Sequence, residues 1–390
     1  MSVNDKPDST FASPLNFPDS PLSQIARQPL MLGLFLPTQT GGFSQSTYPR
    51  DTDWSFAYNA RLTLQAESYG FDFVFSLQQW VPKGGFGGEA HYRENFLDPF
   101  ITTVALSSLT SRIVTISTVN VLYGNFHPLY LARFAATADH IAQGRFGLNI
   151  VTGYDAKEPL MFGMDRLDHD ARYQQASEFS HIMETLWEGA ENLDYHGDFY
   201  QLQQAYISPR PKYGRPIMVS ASASAAGFDY AAKHSDIVFT SSPAGAVFEP
   251  AIKALPAHTQ SIQEAYQRAG KVAKIIIFPM IICRKTREEA LAYRDDIVAK
   301  ADTESIVAYT ARHKGGDAQG WQQHIPADRV LGGHIQIVGD PQDVADALQQ
   351  LYDAGINGVQ LGFYDYEPEL AFFASEVLPL LEARGLRIKA

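Results

Sequence analysis

Short apolar runs, rich in Val, Ile and Phe, recur along the chain and alternate with longer stretches of helical periodicity. The runs are Leu30–Leu36, Phe71–Ser76, Arg112–Val119, Phe146–Val151, Ile217–Ala221, Asp236–Thr240, Ala273–Cys283 and Gly358–Gly362. Most are too short for helices and carry no polar face, which predicts strands buried on both sides, as in a parallel sheet. Between them, Ala60–Tyr69, Tyr130–Ala142 and Ala171–Trp187 read as amphipathic helices, the first with Asn59 as its N-cap. On the third, Tyr173, Ala176, Phe179, Ile182, Met183 and Leu186 mark one apolar stripe. Eight strands alternating with helices predict an α/β fold. Eight is the number that closes a TIM (β/α)8 barrel; a doubly wound open sheet is the alternative.

The spacing is uneven, which locates insertions. A long connection follows the second strand and contains Gly84-Gly85-Phe86-Gly87-Gly88; a longer one, at about 284–335, follows the seventh. Gly84–Gly88 lacks the GxGxxG pattern of a phosphate cradle and reads as a mobile loop over a site. Residues Met1 to Gln28 are polar and Pro-containing, without a basic start and apolar run, and are expected to form an N-terminal arm. The remainder, 29–390, is expected to be a single domain, with no linker or internal repeat dividing it.

Composition narrows the function classes. The 390 residues carry 31 Lys+Arg against 43 Asp+Glu, a net charge of −12, which disfavours nucleic acid and anionic membranes as partners. No stretch reaches the roughly 18 apolar residues of a membrane span. A single cysteine, Cys283, excludes an internal disulfide and points to a reducing, cytoplasmic setting. The 11 histidines show no metal-ligand spacing, and no HExxH, CxxC, GxSxG or GxxxxGK[ST] motif occurs.

What remains is polar residues at strand ends, where a barrel places its site. In Arg145-Phe146-Gly147-Leu148-Asn149-Ile150-Val151-Thr152-Gly153, alternation puts Gly147, Asn149 and Val151 on one face. An Asn late in a barrel strand is either a satisfied polar core residue or part of a site. Thr118 sits similarly late in the third strand, though Thr also favours strands for its own sake. Ser220-Ala221-Ser222-Ala223-Ser224-Ala225-Ala226-Gly227 ends the fifth strand and opens a helix. Its small side chains leave backbone N–H groups open to a phosphate, or make a plain tight turn.

Taken in order, these residues resemble the bacterial-luciferase-like flavin monooxygenases. Arg145–Gly153 looks like the family's fourth-strand signature; Ala136–Gly144 before it and Leu167–Tyr173 after it, leading to Glu178-Phe179, are similar too. The resemblance runs from about Met31 to Leu386 and implies a TIM barrel. It also implies a two-component monooxygenase that takes FMNH2 from a separate NAD(P)H:flavin reductase and uses O2 to oxidise a small organic molecule. Relatives associate through barrel helices, so a homo-oligomer, dimer or tetramer, is implied.

Within the superfamily the chain is most similar to the pyrimidine (uracil) oxygenase and dimethylsulfone monooxygenase branches. The former shares Phe71-Asp72-Phe73, Gly85-Phe86-Gly87-Gly88 and Ser208-Pro209-Arg210-Pro211. By that resemblance Gln78, Gln79, Asn149, Glu158, Arg172, Tyr173 and Ser224 fall on flavin-binding positions. Thr118 and Asn149 match the pair assigned to holding oxygen beside the flavin N5, which makes them the catalytic candidates. Arg172 would meet the FMN phosphate or pair with Asp168 or Asp170. Sulfonate-oxidising relatives place an Arg and a His on the seventh strand, where this chain has Phe278 and Met280. That favours a flatter, weakly charged substrate: a pyrimidine-like heterocycle, a sulfone or a halogenated aromatic. Tyr154 stands for a Trp of the pyrimidine oxygenases, and Gln78-Gln79 for Ile-Lys. A deazaflavin-dependent oxidoreductase and a non-catalytic flavin-binding relative are the alternatives on the same barrel.

Overall fold

The structure, a computed structural model, describes residues 11–389 except 124–125, 154, 190, 314–329 and 333. Its strands in chain order are β1 (Met31–Phe35), β2 (Phe73–Ser76), β3 (Val114–Asn120), β4 (Phe146–Val151), β5 (Leu193–His196), β6 (Gln201–Ala205), β7 (Ile217–Ala221), β8 (Ile237–Thr240), β9 (Lys274–Ile277), β10 (Pro279–Cys283), β11 (Ile335–Gly339) and β12 (Gly358–Phe363). The parallel ring runs β1-β2-β3-β4-β7-β8-β9-β12 and closes through a β12–β1 ladder from Met31↔Gly358 to Leu34↔Leu361. This is the closed eight-stranded TIM barrel, with helices outside.

Every one of these ring strands is almost wholly buried, which is why they read as apolar runs and not as alternating ones. Inside, layers of side chains fill the barrel. Gly33 on β1 faces Phe73 on β2, and a Cβ at Gly33 would stand 2.1 Å from the Phe73 ring. The missing side chain is what leaves room for that fully buried ring.

Three departures from the sequence pattern have physical causes. Ala273–Cys283 is two strands, because Pro279 has no N–H to continue the ladder. Below the break β9 joins β8 and β12; above it β10 joins β12 and the additional strand β11, which belongs to the insertion. The β5–β6 hairpin, mostly exposed and polar, left no apolar run to read. The first barrel helix starts earlier, at Phe56–Ser68, capped by Ser55; Asn59 lies inside it, its amide donating to the Trp54 and Ser55 carbonyls. The other two helices are Pro128–Ala142 and His169–Glu188, and the stripe on the latter buries Ala176, Phe179, Ile182, Met183 and Leu186.

The described part of the N-terminal arm is packed against the barrel. Leu22 is fully buried, and the Ser13 hydroxyl bonds Asp236, whose carboxylate also accepts from the two terminal guanidinium nitrogens of buried Arg215. The insertion after β10 builds helices Arg287–Ala299 and Thr303–His313. No helix among the described residues is long and apolar enough to cross a membrane.

A second buried pair ties the chain's end to the bottom of the barrel. Arg387 grips the Asp72 carboxylate and donates to the Leu30 and Gly70 carbonyls, while the same carboxylate accepts from Leu32 N at 2.7 Å. Arg387→Ala leaves Asp72 buried without its cation, so we expect a loss of about 3–5 kcal/mol. Urea unfolding of the variant against the wild type measures it.

Candidate active site

Because all ring strands run the same way, their carboxyl ends meet at one mouth. Six of the predicted site residues, Gln78, Thr118, Asn149, Arg172, Tyr173 and Ser224, line one cavity there, of about 230 Å³. The β3–β4 register sets Thr118 beside Asn149 on the inward face. Asn149 Nδ2 donates to Thr118 Oγ1 at 3.0 Å, and both side chains are buried. Asn149 Oδ1 is buried with no partner among the described residues. An orphaned acceptor at the core of a barrel is costly and calls for a donor from a bound molecule.

The cavity has two unlike ends. At one, Ser224 caps helix Ala225–His234, its hydroxyl accepting from Gly227 N at 3.2 Å. Gly227 has no room for a side chain: a Cβ would lie 2.7 Å from the Tyr173 hydroxyl. Arg172, only 4% exposed, donates to the Gly153 carbonyl across the cavity wall. A helix N-terminus, a guanidinium and two hydroxyl-bearing residues are the kinds of group that can hold an anion.

At the other end the rings of Phe35, Phe43, Phe75 and Phe239 pack together; Phe35 lies 4.3 Å from Phe43 and 5.4 Å from Phe75, centroid to centroid. Phe278 lies behind them, 4.8 Å from Phe35, with the His334 ring 4.1 Å from it. Arg93, from the loop after β2, and Tyr309, from helix Thr303–His313, close this end. Sequence reasoning missed Arg93, Tyr309 and His334. Arg93 owes its place to a left-handed backbone, φ +60°, and Tyr309 and His334 belong to a distant insertion, so no local pattern marks them.

Two predicted residues lie off the lining. Gln78 reaches the cavity and accepts from Asn120 N, but Gln79 turns away: its Oε1 accepts from Arg93 and its Nε2 lies 3.2 Å from His313 Nε2. Glu158 opens the short helix Glu158–Met161, where its carboxyl accepts from the Tyr123 hydroxyl and, at 3.1 Å, from Trp80 N. Asp155 nearby holds Arg312 of the insertion helix, so these two acids fasten the loops after β2, β3 and β4 to that helix. Met280 is fully buried in β10, and Tyr154 lies outside the described residues.

Burial pushes the Glu158 carboxyl up to about 7, against the Tyr123 and Trp80 hydrogen bonds that pull it down. The folded protein therefore favours the protonated acid. Its contribution is complete below about pH 4.5 and is lost as pH rises through about 7, a change of roughly 3 kcal/mol at most. Glu158→Gln keeps the neutral form at every pH. The wild type is expected to lose melting temperature relative to this variant across that window, in paired thermal melts.

Residues 31–358 match the model of the luciferase-like monooxygenase family. The chain is 28% identical over 375 residues to the FMNH2-dependent dimethylsulfone monooxygenase of Pseudomonas fluorescens, covering 94% of this chain and 98% of that one. It is 31% identical over 361 residues to the pyrimidine monooxygenase RutA of Variovorax paradoxus, covering 90% and 95%. Among solved structures, the riboflavin lyase RcaE, determined with modified FMN and riboflavin, shares the fold with a TM-score of 0.81 at 23% identity over 92% of both chains. With a family model matched over most of its length and a curated relative above 30% identity, the chain belongs to the luciferase-like monooxygenase family.

Proposed function

We propose that the chain is the oxygenase half of a two-component system: an FMNH2-dependent monooxygenase that oxidises a small, flat organic molecule. The observation that carries this reading is the Thr118–Asn149 pair, with its orphaned buried oxygen, at the mouth of the barrel. The residues present fit FMN. Arg172, Tyr173, Ser224 and the helix start at Ala225 would hold its phosphate, and the Asn149 oxygen would accept from a ring N–H of the reduced form. When bound, the flavin supplies the electrons that activate O2.

The chain's own groups then have distinct tasks. Asn149 donates to Thr118, so the Thr118 hydroxyl proton is left for another acceptor, which an oxygen bound in the cavity would supply. A hydroxyl donor beside an oxygen that gains negative charge stabilises that charge where water is excluded. Phe35, Phe75 and Phe239 keep this end dry and offer ring edges and faces to a flat substrate. Among the expected substrate classes a pyrimidine-like heterocycle or a halogenated aromatic suits these rings better than a sulfone. A separate NAD(P)H:flavin reductase supplies the reduced flavin. The exposed Tyr130, Phe134 and Ile141 of helix Pro128–Ala142 offer an apolar face for the dimer or tetramer that the resemblance implies.

Rapid mixing of the protein and photoreduced FMN with oxygenated buffer tests the oxygen site. The wild type is expected to reoxidise FMNH2 at a rate distinct from free flavin, and Asn149→Ala to return to the free-flavin rate while still binding FMN. Identical traces for both proteins and free flavin would falsify the oxygen-site reading and leave the deazaflavin alternative. The phosphate end has its own expectation: FMN binds more tightly than riboflavin, and Arg172→Gln removes about ten- to hundredfold of that preference. Quenching of flavin fluorescence reads both affinities.

A further inference from the structure

We infer that helices His169–Glu188 and Ala225–His234 act as one preset clamp for the FMN phosphate, and that the buried ring of His234, at the far end of its helix, is the positioning residue that fixes the clamp. The inference rests on the flavin reading above and adds to it the residues that set the phosphate end from outside the cavity.

Both helices start at the cavity. The first brings Arg172 and Tyr173 in its opening turn, and the second brings its N-terminus, capped by Ser224. A phosphate held by both must find them at one separation, so the packing of the two helices decides how well it is held. Tyr173, Ser177, Ser180 and Glu184 follow at helical spacing along one face of the first helix, as do Gly227, Tyr230 and His234 along one face of the second. Of these residues only Tyr173 lines the cavity.

The two faces meet through hydrogen bonds. The Ser180 and Tyr230 hydroxyls lie 2.7 Å apart, Ser177 Oγ lies 2.8 Å from His234 Nε2, and His234 Nδ1 lies 2.9 Å from Glu184 Oε2. The Tyr230 ring also packs on those of Tyr173 and His234, at 5.9 Å and 5.1 Å between centroids. The His234 side chain is 1% exposed and that of Glu184 2%. With its proton on Nδ1, the tautomer that a carboxylate selects, the imidazole donates to Glu184 and accepts from the Ser177 hydroxyl. One ring thus grips the neighbouring helix at points two turns apart. Apolar side chains tolerate small slides between helices. A buried acid does not, because a shift that breaks its bond leaves it without its partner.

Titrations of the full chain with FMN and with riboflavin, read by quenching of flavin fluorescence, test the assignment. His234→Leu is expected to weaken FMN about tenfold and leave riboflavin within about twofold. His234→Gln, which can still donate to Glu184 and accept from Ser177, should recover most of the loss. Ser177→Ala keeps the His234–Glu184 bond and should lower the FMN preference about threefold, which preserves the test if His234→Leu does not fold. Arg387→Ala loosens the opposite end of the barrel and should leave the ratio of the two affinities as in the wild type. Equal losses for FMN and riboflavin in the His234 and Ser177 variants overturn the inference, as does an unchanged ratio, or a ratio that falls as far in Arg387→Ala. A wild type that binds FMN no more tightly than riboflavin overturns the phosphate reading itself, and the clamp with it.

Discussion

A parallel strand is satisfied only when both its edges are paired and both its faces covered. The β12–β1 ladder completes the first condition, and the helices outside with the side-chain layers inside complete the second. Closure has a directional consequence: eight carboxyl ends converge on one mouth, so residues far apart in sequence share a wall without any dedicated contact between their segments. Thr118 and Asn149 meet because β3 and β4 pair in one particular register. A slip of either strand by one residue would turn its side chain out to the helices and part the pair.

The interior then has to tolerate polarity where the site needs it. Lower in the barrel the inward layer holds Phe73 over Gly33; one layer toward the mouth come Phe35 and Phe75, and beyond them Thr118 and Asn149. Polar side chains at this depth are admissible when each finds a partner. Asn149 meets that condition with its nitrogen and not with its oxygen. The incompleteness is local, and it lies where the cofactor's edge is expected.

The barrel was legible because eight buried runs rich in Val, Ile and Phe alternate with helices, with an open doubly wound sheet as the rival that closure removes, and Asn149 was legible because it breaks that apolar pattern. Ser224 followed from the small-residue run that opens its helix, and the structure gives it the capping role that such a run allows. Other features had no such trace. The break at Pro279 and the extra strand β11 depend on what the insertion brings alongside, and a five-residue strand interrupted by Gln336 and ending in glycine, Ile335-Gln336-Ile337-Val338-Gly339, looks like loop. Gln79 and Glu158 carry the right chemistry at matched positions, but their hydrogen bonds direct them to Arg93 and to Trp80 and Tyr123. Position along a strand end does not decide which way a side chain turns; its neighbours do.

The two ends of the cavity therefore come from different sources. The end that holds Ser224 and Arg172 is made by ring strands and the helices that directly follow them, whose geometry the closed sheet fixes. The aromatic end is finished by the loop after β2 and the helix Thr303–His313 of the insertion, which meet through Phe86, Tyr92 and Tyr309; Arg312 of that helix donates to the Trp80 carbonyl and pairs with Asp155. Neither segment takes part in barrel closure, so both tolerate change at little cost to the ring. Under the proposed function, a cavity divided in this way would keep one redox chemistry and let the substrate vary. In this chain the variable half adds Arg93, Tyr309 and His334 to the lining, residues that a change in either segment would replace without touching the ring strands.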